Sequence, residues 1–245
     1  MIFNRTAIFV LAVLVAAALA GCAALPTSLQ MGATEAARES NHAALMSTYS
    51  ELAKTGGRVF NLDSRRSAVR IYVFRAGPAA KVGHNHVIAA PKFSGFAYLP
   101  PGGTAEARFD LEFRLDELEI DNLAYRAQLG KAFASIPMPE AIAGTREHML
   151  GEENMQADRF PFVRVHSLRV AGESPKLAVD VQVEMHGKKR EIRVPLDVEG
   201  LPDSLAVSGA FTLRQTDFGV QPYSALGGLI AVADEVVIEF KLVGE

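Results

Sequence analysis

The stretch Ala107-Arg108-Phe109-Asp110-Leu111-Glu112-Phe113-Arg114-Leu115 sets the architecture of this chain. Apolar and charged residues alternate without a break, so an extended backbone puts every apolar side chain on one face and every charge on the other. A helix, at about 3.6 residues per turn, would scatter both sets around its axis. The same period of two runs through Val69-Arg70-Ile71-Tyr72-Val73, and Val179, Val181, Val183 and Met185 alternate with Asp180, Gln182, Glu184 and His186. It recurs over residues 192–198, 205–213 and 236–242. One apolar and one wet face per strand mark an antiparallel sheet, because parallel sheets are buried on both faces. The short links Pro101-Gly102-Gly103, Gly172-Glu173-Ser174-Pro175 and Gly200-Leu201-Pro202-Asp203 suit hairpins. Such strands must cover their apolar face, by pairing sheets or by closing on themselves. Closure into a barrel of about eight strands leaves room for one small ligand or for a packed core, and the pattern leaves both open.

Residues 123–155 break the period. Residues 123–134 and 139–154 read as helices, with Pro139 placed to start the second. Upstream, residues 34–54 read as a helix rich in Ala and Leu and stopped by Gly56-Gly57. Its apolar stripe (Ala37, Ala44, Leu45, Leu52) is thin, which predicts a spacer lying on the domain, with His42 as a solvated helix residue. Residues 23–31 are small and polar enough for a flexible spacer.

The amino end carries an address. Arg5 precedes an uncharged apolar run over residues 6–20, and Leu19-Ala20-Gly21 leads directly into Cys22, the one cysteine of the chain. This is the pattern of a secretory signal peptide of the lipoprotein type. A transmembrane helix is the rival, but the run is near the lower length limit and no basic stop-transfer cluster follows. The expected organisation is therefore a signal peptide over residues 1–21, a lipidated Cys22 with spacer and helix over 22–57, and a barrel domain over 58–245. The mature protein is expected in the bacterial cell envelope, lipid-anchored and periplasm-facing. Ala23 after the cysteine favours the outer membrane.

Composition removes several function classes. The chain has 25 basic and 28 acidic residues, a formal charge of -3, and no basic block, which excludes nucleic acid as a partner. With Cys22 modified no thiol remains for disulfides, cysteinyl zinc sites or thiol catalysis. No nucleophile elbow, phosphate loop or haem attachment motif occurs, so no enzymatic activity is expected.

Four stretches depart from plain alternation. They are Gly83-His84-Asn85-His86; Thr145-Arg146-Glu147-His148-Met149-Leu150, followed by Phe160-Pro161; Glu184-Met185-His186-Gly187-Lys188-Lys189; and Gln215-Thr216-Asp217-Phe218-Gly219, continuing to Asp234-Glu235-Val236. In this order they resemble the YceI-like family of secreted and periplasmic proteins, over roughly residues 59–243. Glu147 stands where the family has Asp, and Lys188-Lys189 replaces its Thr-Lys. The resemblance implies a mostly β, antiparallel lipocalin-like barrel with a short helical insert, preceded here by the helix and linker. It further implies a bound polyisoprenoid or fatty-acid-like lipid, with no other cofactor. The candidate lining is Val73, Phe109, Leu111, Phe113, Val181, Val183, Phe211 and Leu213. Expected partners are the membrane through Cys22 and an apolar small molecule, with a homodimer left open.

The polar residues admit two readings each. His84 and His86, two apart in an extended segment, share a face as metal ligands require, with His148, His166 or His186 as a third. That pair is the centre of the alternative function, a metal-binding protein or metal-dependent enzyme. Alternatively Asn85 and the histidines hydrogen-bond a turn. Arg146, Glu147 and His148 suit a head-group clamp at the barrel mouth or a local helix cap. Lys188-Lys189-Arg190 reads as a solvated turn. Asp217-Phe218-Gly219 reads as a turn in which Asp217 caps the backbone and Phe218 plugs a barrel end.

Overall fold

The alternating segments become the strands of one antiparallel sheet in the computed structural model, which describes residues 27–245. The signal peptide and Cys22 lie outside the described residues. In chain order the strands are β1 (Arg58–Asn61), β2 (Ala68–Ala76), β3 (His86–Ala89), β4 (Ser94–Leu99), β5 (Arg108–Arg114) and β6 (Glu119–Ile120). After the insert follow β7 (Phe162–Glu173), β8 (Lys176–Met185), β9 (Lys188–Glu199), β10 (Leu205–Arg214), β11 (Ser224–Ala225) and β12 (Ile230–Gly244). Neighbours run β1-β4-β5-β7-β8-β9-β10-β12-β2-β3-β6, and β11 pairs with β12. Leu62, just past β1, bridges Gly244 at the end of β12. Asn61 and Glu245 exchange backbone hydrogen bonds of 2.8 and 3.0 Å beside it. The eight strands from β1 round to β12 thus curl into a ring pinned at this end, while β2, β3 and β6 continue the sheet beyond it.

Three predicted hairpin links join β4 to β5, β7 to β8 and β9 to β10. The β8–β9 turn is His186-Gly187, both at positive φ (52° and 69°), the conformation a two-residue hairpin needs. A Cβ at Gly187 would sit 2.6 Å from the Phe160 ring, so glycine is required there on two counts.

Three helices complete the described chain: α1 (Thr27–Ala53), α2 (Leu123–Arg126) and α3 (Pro139–Leu150). None is long and apolar enough to cross a membrane. α1 begins within the segment read as a spacer, and it docks on the outer face of β4 and β5. Its contact face uses only half of the predicted stripe: Leu45 and Leu52 pack on the sheet, whereas Ala37 and Ala44 are exposed. Together with Tyr49 the two leucines meet Phe96, Tyr98 and Val59, with the Tyr49 and Phe96 rings stacked at 5.3 Å. The outward charges of β5 supply the rest. Tyr49 donates to Asp110 (2.8 Å), Asn41 donates to Glu112 (2.8 Å), and Glu35 pairs with Arg114 (2.6 Å). His42 is correspondingly not solvated, its ring lying 5.6 Å from that of Phe96.

The insert is less helical than its composition suggests. Of residues 123–134 only α2 and a single 3-10 turn, Lys131–Phe133, are helical. The chain beyond that turn folds back on the Arg126 guanidinium, which donates to the Ser135 carbonyl at 2.7 and 3.0 Å. With the long-range bond from Arg126 to the Asn85 carbonyl (2.8 Å), this outweighs local propensity. α3 starts at Pro139 as expected but stops at Leu150, where the Gly151 N–H closes the last turn on the Glu147 carbonyl (3.0 Å).

Candidate functional site

The inward faces of the ring do not meet. They enclose a cavity of about 650 Å³, within the range of small-molecule sites. All eight residues expected to line it do so. Val181 and Val183 are buried in the wall, whereas Val73, Phe109, Phe113, Phe211 and Leu213 point inward yet remain only half-buried, because the space they face is empty. The barrel is hollow, which sets aside the filled-core reading.

One end of this cavity is polar. Arg75, His84, His86, Thr145, His148, Gln215 and Tyr223 reach it from the ends of β2 and β10, the start of β3, α3 and the loop before β11. The rings of His84 and His86 lie 5.3 Å apart, sharing the predicted face. His86 Nδ1 meets Asp121 Oδ2 at 2.6 Å, and the other Asp121 oxygen accepts from the Val87 N–H (3.1 Å) and from Arg126. Asp121 is 1% exposed and sits at a φ of 53°, a conformation Asp tolerates. Burial pushes its carboxyl up. The hydrogen bond and charge of His86, the Val87 N–H and Arg126 together outweigh that and hold it below its usual range. Anchoring His86 through Nδ1 fixes the ring and frees Nε2. Burial, followed by repulsion from His86, lowers the pKa of His84, which favours its neutral form.

Asn85, 7% exposed, ties this node together. It accepts from the Arg75 N–H (2.9 Å), donates to the Ala132 carbonyl (3.0 Å), and its own carbonyl accepts from Arg126 (2.8 Å). The turn reading of Gly83-His84-Asn85-His86 therefore holds for Asn85, while both histidine rings line the cavity. Across from them the His148 and Tyr223 rings meet edge to face at 4.7 Å.

Other candidates are placed elsewhere. Arg146 is not at the cavity, although His148 is. On α3 it is turned about 100° from Thr145, and it donates to the Leu118 carbonyl (2.6 Å) and to the Asp116 carbonyl. It holds the insert to the β5–β6 turn, through carbonyls 28 and 30 residues away, so Arg146 is neither a head-group clamp at the cavity nor a local helix cap. His166 pairs with Asp110 on the outer face (2.7 Å), and His186 faces the Phe218 carbonyl (3.1 Å). Neither joins His84 and His86. Among the described residues no group of three or more His, Cys, Asp or Glu is placed to hold a metal. Phe218 is a buried plug, as expected, but the cap on its turn comes from Asp234, which accepts from the Thr216 N–H (2.9 Å) and hydroxyl (2.7 Å). Asp217 is exposed.

Asp121, Arg126, Arg75 and Tyr223 were not singled out by sequence. Beside Asp121, Asn122 caps the start of α2, accepting from the Ala124 N–H (2.9 Å).

By fold and cavity this is a hollow antiparallel barrel whose interior is apolar except at one end. Residues 60–244 match the family model of the YceI-like domain, and the chain belongs to that family. Among solved structures, BcnA of Burkholderia cenocepacia is 18% identical, covering 75% of this chain and 99% of its own at a TM-score of 0.55. A polyisoprenoid binding domain from Saccharophagus degradans, implicated in plant cell wall breakdown, is 14% identical, covering 76% and 97% at a TM-score of 0.50. At such identities the likeness is one of fold. No curated protein matches the chain.

Proposed function

We propose that this protein is an envelope lipoprotein that holds a long apolar or amphiphilic molecule, isoprenoid-like, in its barrel for carriage, storage or sensing. The observation that carries the reading is the cavity of about 650 Å³, walled by Val, Leu, Ile and Phe from every long strand and polar at one end. An apolar chain inside it gains about 0.8 kcal/mol per methylene removed from water. The polar end, with His84, His86, His148, Gln215 and Tyr223, offers hydrogen bonds that fix the head and hence the direction of the chain. The polyisoprenoid binding domain with the same fold supports this class of ligand. Lipidation of Cys22 keeps the barrel beside the bilayer where such molecules reside. Native mass spectrometry after gentle purification tests the cargo. A co-purifying lipid, exchangeable for an added polyprenyl alcohol, is expected; a clean apo mass that no polyprenyl compound shifts overturns the reading.

A further inference from the structure

Exposed apolar side chains are not spread evenly over this molecule. Nine large ones are exposed among the described residues, and six of them (Val82, Ile136, Met138, Tyr223, Leu226 and Leu229) fall in three short segments, 77–85, 127–138 and 220–229. The three segments meet at the polar end of the barrel. The Ala79 N–H donates to the Leu229 carbonyl (2.9 Å) and Asn85 to the Ala132 carbonyl (3.0 Å). His84 and Tyr223, on two of them, line the cavity. An exposed apolar rim continuous with an apolar cavity marks an interaction surface.

Charge identifies what the rim meets. In a chain with 28 acidic residues these three segments contain none, and they contain two lysines, Lys81 and Lys131. Both lysines are exposed and neither forms an ion pair among the described residues. Apolar side chains flanked by unpaired cations suit an anionic phospholipid surface.

The position of α1 agrees independently. α1 runs against β5 in the opposite direction, with Tyr49 on Asp110 and Glu35 on Arg114. Arg114 lies at the same barrel end as His86 and α3, so the start of α1 points toward the rim. Thr27 precedes Glu35 by eight residues, about 12 Å of helix. The described chain therefore starts at the rim end, and Cys22 precedes Thr27 by five residues in sequence.

We propose that the polar end of the barrel docks rim-first on an anionic bilayer, so that cargo passes between membrane and cavity without crossing water. The proposal rests on the lipid-binding reading above, but its test needs no cargo. The chain has no tryptophan, so a single one introduced at an exposed site is an unambiguous depth reporter. Ile136 (76% exposed) and Leu226 (72%) report from the rim, and Leu168 (44%) reports from mid-wall, six residues along β7 from Phe162 and roughly 20 Å away. Ile136→Trp, Leu226→Trp and Leu168→Trp versions of the full chain are reconstituted into vesicles of phosphatidylethanolamine and brominated phosphatidylglycerol. Roughly half or more of the rim emission is expected to be quenched, as for side chains buried about 5–10 Å into the interface, with little change at Leu168→Trp. Adding Lys81→Glu and Lys131→Glu to Ile136→Trp should restore most of the emission. Rim tryptophans quenched no more than the mid-wall one overturn the docking, while the cargo reading stands or falls on its own mass spectrum.

Discussion

The two faces of β5 follow one alternating sequence and end in opposite states. Outward, Asp110, Glu112 and Arg114 meet α1 and become a bonded layer in which Glu112 is 3% and Tyr49 1% exposed. Inward, Phe109 and Phe113 face the cavity and stay half-buried. Charge has been packed and hydrocarbon left open. The usual expectation that apolar faces are filled and polar faces wet is reversed because a helix reaches the outer face, whereas the curvature of the ring keeps the opposite wall away from the inner one.

The largest effect that would break this contrast is on the outer face. Tyr49→Ala removes a stacked, buried ring and the donor to Asp110, and should cost about 3–5 kcal/mol in denaturant unfolding if α1 is integral to the domain. A cost near zero would show that α1 is a mere spacer. Phe109→Ala, on the inner face, should cost less than about 2 kcal/mol, because part of its ring already lacks neighbours. Adding bulk sharpens the contrast further. Val73→Phe projects into empty space, so melting should change little, whereas a packed core would lose about 1–3 kcal/mol. The same variant should weaken uptake of a polyprenyl alcohol roughly tenfold, read by native mass spectrometry, a loss of about 1.4 kcal/mol in affinity.

The smallest effect is a pH dependence. Burial, against the hydrogen bond and charge of Arg164, raises the Glu112 carboxyl above its ordinary value of 4.5. The folded chain then binds this proton more tightly than the unfolded chain, so stability falls as pH rises through 4.5 and just above it. Glu112→Gln carries no such proton. The melting temperature of the wild type minus that of the variant should therefore decline across that window, and a difference that rises instead would contradict the burial of Glu112 as a charge under strain. Asp121 behaves oppositely. With its carboxyl held below the ordinary 3.8, it contributes stability above that pH and loses it as the pH falls through the lowered value, and Asp121→Asn should abolish that acid loss.

The strands and three of their hairpins were legible because a pleat places successive side chains on opposite faces whatever the rest of the chain does. The cavity lining was legible for the same reason. Residues 123–134 were not, since the Arg126 guanidinium draws together the flanking Asp121 and Ser135 and the remote Asn85 carbonyl, 41 residues away. Within the Thr145–Leu150 motif, sequence could not separate His148, which reaches the cavity, from Arg146, which reaches the carbonyls of Asp116 and Leu118. Two residues along the helix, about 200° around it, assign them to different neighbours.

Local rules of the chain thus dictate an antiparallel sheet with one apolar face, and the similarity of four stretches points to its family. Whether that face is filled or hollow depends on how the ring closes between Leu62 and Gly244, 182 residues apart. Which acid orients His86 depends on Asp121, 35 residues away, and what covers the charges of β5 depends on Tyr49, 61 residues from Asp110. Such pairings arise from strand register and closure, which bring remote residues into contact by packing, and a pattern with a period of two carries no record of them.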